Sequence, residues 1–161
     1  MPGIKRDFLT IIAEQLVGGV HLTSLLFHPG GNVYILTYQK GNRKRHIFVD
    51  TGDARYDDEM FAILDENDID ATAIERIIIT HRHPDHTGLA YLLAHKSGAM
   101  IMVHPTFRNF VESGQGNSAW FNEFDPSHLR ECNIEYLHES ADHVKLNGIE
   151  FPNLSGTVGI G

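Results

Sequence analysis

Three imidazoles and one carboxylate fall within six consecutive positions of this chain. They are His81, His83, Asp85 and His86, in the stretch Thr80-His81-Arg82-His83-Pro84-Asp85-His86-Thr87-Gly88. Neutral imidazole and carboxylate are the usual donors to zinc and similar divalent ions, so metal binding is the chemistry this set serves best. A solvated histidine-rich loop is the plainer alternative, but surface loops seldom gather donors this densely between a strand and a helix. On a turn, His81 and His83 project to one side while Asp85 and His86 fold round toward a second point, so one loop can serve two neighbouring ions. Asp85 has a further use as a catalytic group, since a carboxylate near an activated water can pass a proton to a leaving group. Iron or manganese suits the same nitrogen and oxygen donors as zinc.

The elements around the loop must hold it in place. Ile77-Ile78-Ile79 precedes it and reads as a buried strand; the run from about Gly88 to His95 follows and reads as a helix, with Gly98 as its C-terminal stop. Met100 to Val103 is a short strand, which completes a strand, loop, helix, strand unit with a partly parallel sheet. Upstream, Val20 to Phe27, Val33 to Tyr38 and His46 to Asp50 are strand-like runs broken by His28-Pro29-Gly30-Gly31-Asn32 and Gly41-Asn42, the pattern of an antiparallel meander. Phe8, Leu9, Ile11, Ile12, Leu16 and Val17 fit a helical stripe, although the β-branched pair leaves a strand open. Asp57-Asp58-Glu59 opens a helix that buries Met60, Phe61 and Leu64. Downstream, Ile134 to Leu137 reads as a strand and Val144 to Phe151 as a hairpin turning at Asn147-Gly148. Asp50, at the end of an apolar strand beside Thr51 and Gly52, is placed to reach a site at the sheet edge; a turn capping the strand is the simpler reading. His95 and His104 read as surface and structural histidines.

The stretch Thr80 to Gly88 resembles the Thr-His-X-His-X-Asp-His-X-Gly metal-binding motif (HxHxDH) of the metallo-β-lactamase superfamily, and the similarity extends over roughly residues 20 to 160. The histidine at position 86 favours the glyoxalase II and lactonase-like branch over the true β-lactamases. The resemblance implies an α/β (α+β) fold, the αββα sandwich, here as an incomplete domain with one mixed sheet and flanking helices. It implies a hydrolase with a binuclear site of two Zn2+ ions, His81 and His83 on the first, Asp85 and His86 on the second. In such an enzyme a metal-bound hydroxide cleaves an ester, thioester or lactone. Asp50-Thr51-Gly52 matches the family's Asp-Thr-Gly, whose aspartate supports the ligand loop through hydrogen bonds from behind. The family's second half carries Gly-His-Thr, a bridging aspartate and a late histidine. The nearest stretch here, Ser155-Gly156-Thr157-Val158-Gly159, has no imidazole, and the two later ligands have no counterpart. The expectation is therefore a single domain over residues 1–161, truncated at its C-terminal end, with His138 and His143 as candidate replacements for the third histidine.

Composition narrows the partners. The 161 residues carry a formal charge of −8, which argues against a general electrostatic grip on nucleic acid and for a small-molecule substrate. The one dense basic cluster, Lys40, Arg43, Lys44 and Arg45, sits between strand-like runs and reads as a solvated hairpin. A lone cysteine, Cys132, rules out an internal disulfide, and no apolar run approaches membrane-spanning length, so the expectation is a cytoplasmic protein without a membrane partner. Two other functions stay open: a nucleic-acid-processing phosphodiesterase of the same fold, and a non-catalytic metal-binding fragment or interaction module. Apolar surface left bare by an incomplete sandwich would favour a homo-oligomer.

Overall fold

A computed structural model describes residues 7–113, 126–137, 143–146 and 149–152. Seven strands form one sheet in the order β1 (Leu9–Gln15), β2 (His21–Phe27), β3 (Val33–Lys40), β4 (Arg43–Val49), β5 (Ile74–Ile78), β6 (Met100–Val103) and β7 (Ile134–Tyr136). The first four are antiparallel neighbours and the last four run parallel, so the sheet is mixed with its change of direction at β4. A separate hairpin pairs β8 (His143–Leu146) with β9 (Ile149–Pro152).

The meander follows from its turns. Lys40 pairs with Arg43, leaving Gly41-Asn42 as a two-residue loop, and Gly41 stands at φ +60°. A glycine at the first central position is what a tight hairpin of this hand requires. Three of the four cationic residues of this hairpin are engaged in ion pairs: Lys40 Nζ lies 3.0 Å from Glu75, Lys44 Nζ 2.6 Å from Asp68 and Arg45 Nε 3.5 Å from Glu75. The segment from Phe8 to Val17, which fits a helical stripe with a strand left open, holds strand β1 over Leu9–Gln15 and enters a 3-10 turn at Val17. Its apolar residues are mostly exposed on both faces, so they follow neither period, and full-length pairing with β2 decides the conformation.

Two crossovers build the parallel half. Helix α1 (Asp57–Glu66) opens with Asp57, Asp58 and Glu59 at its positive end and buries Met60, Ile63 and Leu64. After β5 come one helical turn, α2 (Pro84–Thr87), which lies ahead of the expected helix, and then α3 (Ala90–Ser97), which is the helix expected from about Gly88 to His95 with its start two residues later. Gly98 ends α3 at φ +74°, as its sequence position suggests. Helix α4 (Arg108–Ser113) follows β6. One sheet face, with Leu25, Val33, Ile35, Phe48, Ile77 and Ile101, packs with the residues of α1 and α3 into the main core. A smaller cluster of Leu36, Ile47 and Met102 occupies the alternate strand positions, on the other face.

His46 on β4 is 1 % exposed, with Nδ1 2.9 Å from the Thr37 hydroxyl. Burial depresses its pKa below 6.5, outweighing the opposing pull of the Asp70 charge. The unfolded chain therefore binds this proton more readily than the folded one. The resulting stability is complete above about pH 6.5 and declines as pH falls from there toward the folded-state pKa, at no more than about 1.4 kcal/mol per pH unit. Urea denaturation at pH 7.5 and 5.5 should show a larger loss on acidification for the wild type than for His46→Asn.

Candidate metal centre

Parallel strands bring their carboxyl ends to one edge, the place where open α/β sheets gather functional loops. Asp50 follows β4, Thr80 and His81 follow β5, and His104 follows β6. The ladder continues one residue past the strands, with Asp50 N donating to Ile78 O at 2.8 Å and Ile79 N to Met102 O at 3.0 Å. Asp50 then turns into the left-handed region at φ 62°, which directs its 4 %-exposed carboxylate inward. That conformation is costly for a residue with a Cβ, although aspartate tolerates it better than most.

Three hydrogen bonds hold the Asp50 carboxylate. Thr80 N donates to Oδ1 at 2.8 Å, the Thr80 hydroxyl donates to Oδ2 at 2.7 Å, and His86 Nδ1 donates to Oδ2 at 2.7 Å. Because the Thr80 proton points to Asp50, its oxygen can only accept from His81 Nδ1, 3.0 Å away. Both histidines thus carry their proton on Nδ1 and turn Nε2 toward the site. His81 Nε2 meets His83 Nδ1 at 2.9 Å, and His86 Nε2 lies 3.6 Å from Asp85 Oδ2. The His81 and His86 rings are 4.0 Å apart between centroids.

Burial lowers the pKa of His81, and the neighbouring His86 and His83 charges lower it further, so its neutral, ligating form is favoured. Burial acts the same way on His86, but the bond and charge of Asp50, with help from Asp85, prevail and raise its pKa.

The four sequence-predicted donors therefore come together as two adjoining pairs. The tightest grouping of three donors among the described residues is Asp50, His81 and His86, with ligand atoms within 4.8 Å of one another. Asp50 is already committed to Thr80 and His86, so in this arrangement it acts as the bracket behind the imidazoles. His138 and the stretch Ser155 to Gly159 lie outside the described residues, as does the turn at Asn147-Gly148, and the His143 side chain is not described. His104 is 9 % exposed and accepts from Thr106 N at 3.2 Å, capping the turn after β6, while His95 is exposed and stacks on Tyr91.

Sequence reading gave no individual role to Thr80, Thr51 or Gly88. Thr51, fully buried, donates from both N and Oγ1 to His86 O at 2.8 Å. Pro84 starts α2 directly after an extended His83, and the Thr87 hydroxyl bonds back to His83 O at 3.1 Å. Gly88 has ordinary helical angles, so its need for glycine is spatial. A Cβ there would lie 2.7 Å from both Gly52 O and Pro84 O and closer still to Ala54 N.

The metallo-β-lactamase superfamily model matches residues 28–160. The chain belongs to the metallo-β-lactamase superfamily. No curated protein matches it by sequence. A subclass B3 metallo-β-lactamase from Bradyrhizobium japonicum superimposes with a TM-score of 0.65 at 19 % identity, over 92 % of this chain and 53 % of that one. A metallo-β-lactamase with a HARLDQ motif from Cronobacter sakazakii gives 0.61 at 16 % identity, over 86 % and 52 %. A mutant flavo di-iron protein from Thermotoga maritima gives 0.60 at 14 %, over 89 % and 36 %. These likenesses establish the shared fold, and the chain spans about half the length, or less, of each of these structures. The mixed sheet with helices is the superfamily's α/β architecture, as expected.

Gly88→Ala should lower stability by about 1–3 kcal/mol, because all three obstructing atoms are backbone and cannot rotate away. Ala62→Ser on the exposed side of α1 serves as a control for substitutions that merely add an atom, and thermal unfolding followed by circular dichroism measures both.

Proposed function

We propose that this chain is a metal-dependent hydrolase module in which His81 and His83 hold one divalent ion and Asp85 and His86 a second. The observation that carries the reading is the convergence of His81 Nε2 and His83 Nδ1 at 2.9 Å, next to His86 Nε2 and Asp85 Oδ2 at 3.6 Å. Three nitrogens and a carboxylate suit zinc, with iron or manganese as alternatives. When bound, such ions make a coordinated water nucleophilic at neutral pH and polarise the oxygen of the scissile group. Thr80 and Asp50 fix the two histidine tautomers, which sets both Nε2 lone pairs toward the ions before any substrate arrives.

Asp85 is the candidate proton carrier. Its side chain is 39 % exposed, and Gly30 stands beside it, where even a Cβ would come only within 3.6 Å of Oδ2. That leaves an open approach for a leaving group needing a proton. The substrate class we favour is a small ester, thioester or lactone, since the net charge of −8 gives polyanionic nucleic acid little attraction. A metal-binding module without turnover is the second reading. It is supported by the absence of an imidazole in Ser155-Gly156-Thr157-Val158-Gly159, where the superfamily pattern has one.

Elemental analysis of the purified protein, offered zinc, iron or manganese, should find bound metal that His81→Ala and His83→Ala each reduce sharply. Asp50→Asn should weaken affinity by about 10–100-fold with the ligands intact. Folded wild-type protein that takes up none of the three metals would sink the assignment. Turnover of thioester, lactone and phosphodiester probes by the loaded protein separates the hydrolase from the silent module.

A further inference from the structure

Strand β1 is an edge of the sheet among the described residues, and apart from one charged residue, Glu14, it lacks the usual devices that keep an edge from pairing. Natural edges are blunted by shortness, proline, lysine or bulges. The opposite edge, β7, has only three residues and carries Glu135. By contrast β1 has seven, Leu-Thr-Ile-Ile-Ala-Glu-Gln, with neither proline nor lysine, in unbroken register with β2 from Leu9↔Phe27 to Gln15↔His21. Six of the seven are exposed, including Ile11 at 37 % and Ile12 at 42 %, and Leu16 at 41 % and Val17 at 97 % extend the apolar strip.

We propose that two copies of this chain pair antiparallel through β1, joining their sheets into one. Symmetry and pleat restrict the register. A two-fold axis normal to the sheet keeps each side chain on its own face, so the axis must pass through a residue, and pairing all seven positions puts it at Ile12. Leu9 then faces Gln15 of the partner, Thr10 faces Glu14, Ile11 faces Ala13, and Ile12 faces its own copy. The strand's single charge, Glu14, is opposite a threonine hydroxyl, so no like charges meet directly within the pairing. The unpaired N–H and C=O groups of the edge gain partners, and the exposed isoleucines are covered. A β1 to β7 arrangement would match seven residues with three and leave most of the edge bare. The whole-chain charge of −8 opposes close approach at low salt, so the dimer is strengthened by screening.

Sedimentation velocity in 0.3 M salt, roughly the range where such repulsion is screened, tests this on the full chain. Mass should rise toward about twice the monomer value with concentration. Ile12→Lys, which places two ammonium groups on the axis, should stay monomeric with an unchanged circular dichroism spectrum. In a Cys132→Ser background, Ile12→Cys should form an intermolecular disulfide under mild oxidation, and Glu14→Cys, whose opposite residue is Thr10, should form far less. A wild-type chain that stays monomeric throughout overturns the proposal. So does a dimer that persists in Ile12→Lys and fails to cross-link at position 12, because association then uses another surface.

Discussion

The site depends on one buried carboxylate. Asp50 ties the end of β4 to the start of the loop after β5 through Thr80, and to the far end of that loop through His86. Hydrogen bonds to an ionised acceptor are stronger than neutral ones, and three on one buried carboxylate offset much of what its desolvation costs. The same bonds leave little rotational freedom to either histidine. Loss of this group would leave Thr80 N and two side-chain donors without their acceptor, so a change at residue 50 disturbs both pairs of donors together. Thr51 adds a second fastening one residue on, and Gly88 lets the loop lie against it without a side chain in between.

The sheet supplies the rest of the placement. Parallel pairing of β4, β5 and β6 sets three strand ends side by side, and the crossovers through α1 and α3 bury the face that keeps those strands in register. The antiparallel meander has another task. Its loop between β2 and β3 comes against the histidine-bearing loop after β5, where a Cβ on Gly31 would fall 2.7 Å from Asp85 O. Gly31 is also at φ +83°, so glycine is required there for both reach and conformation. The wall beside Asp85 is thus contributed by the half of the sheet that carries none of the candidate ligands.

Much of this could be read along the chain because the evidence was local. His81, His83, Asp85 and His86 are close in sequence, and Gly98 and Asp57-Asp58-Glu59 mark helix ends by their own chemistry. What could not be read involves approach between distant segments. Thr80 meets Asp50 across 30 positions and Thr51 meets His86 across 35, and nothing in a threonine's neighbours announces which carboxylate or carbonyl it will find. Gly88 looks like a helix start in the sequence, whereas its role is set by Gly52 and Ala54 lying against it. The misreading of β1 has a different cause: with most positions exposed, its apolar pattern reflects an uncovered edge, and neither periodic template applies.

The protons at the site bear on how an ion would enter. His81 keeps Nδ1–H for Thr80, so its Nε2 is a bare acceptor, and the 2.9 Å contact requires His83 to hold its proton on Nδ1, the atom that would ligate under the proposed function. A cation can replace that proton only if His83 moves it to Nε2 or releases it. His83 is the exposed member of the set, so water can carry the proton away without any rearrangement of the buried network. His81 and His86 need no such change of tautomer, because Thr80 and Asp50 have already placed their protons on the far side. The loop thus divides the work: two imidazoles are fixed in the ligating tautomer by buried partners, and the third adapts at the surface. Were an ion to bind as proposed, its entry would be coupled to the release or transfer of a proton at the accessible His83 ring, and also at His86, whose pKa Asp50 and Asp85 raise.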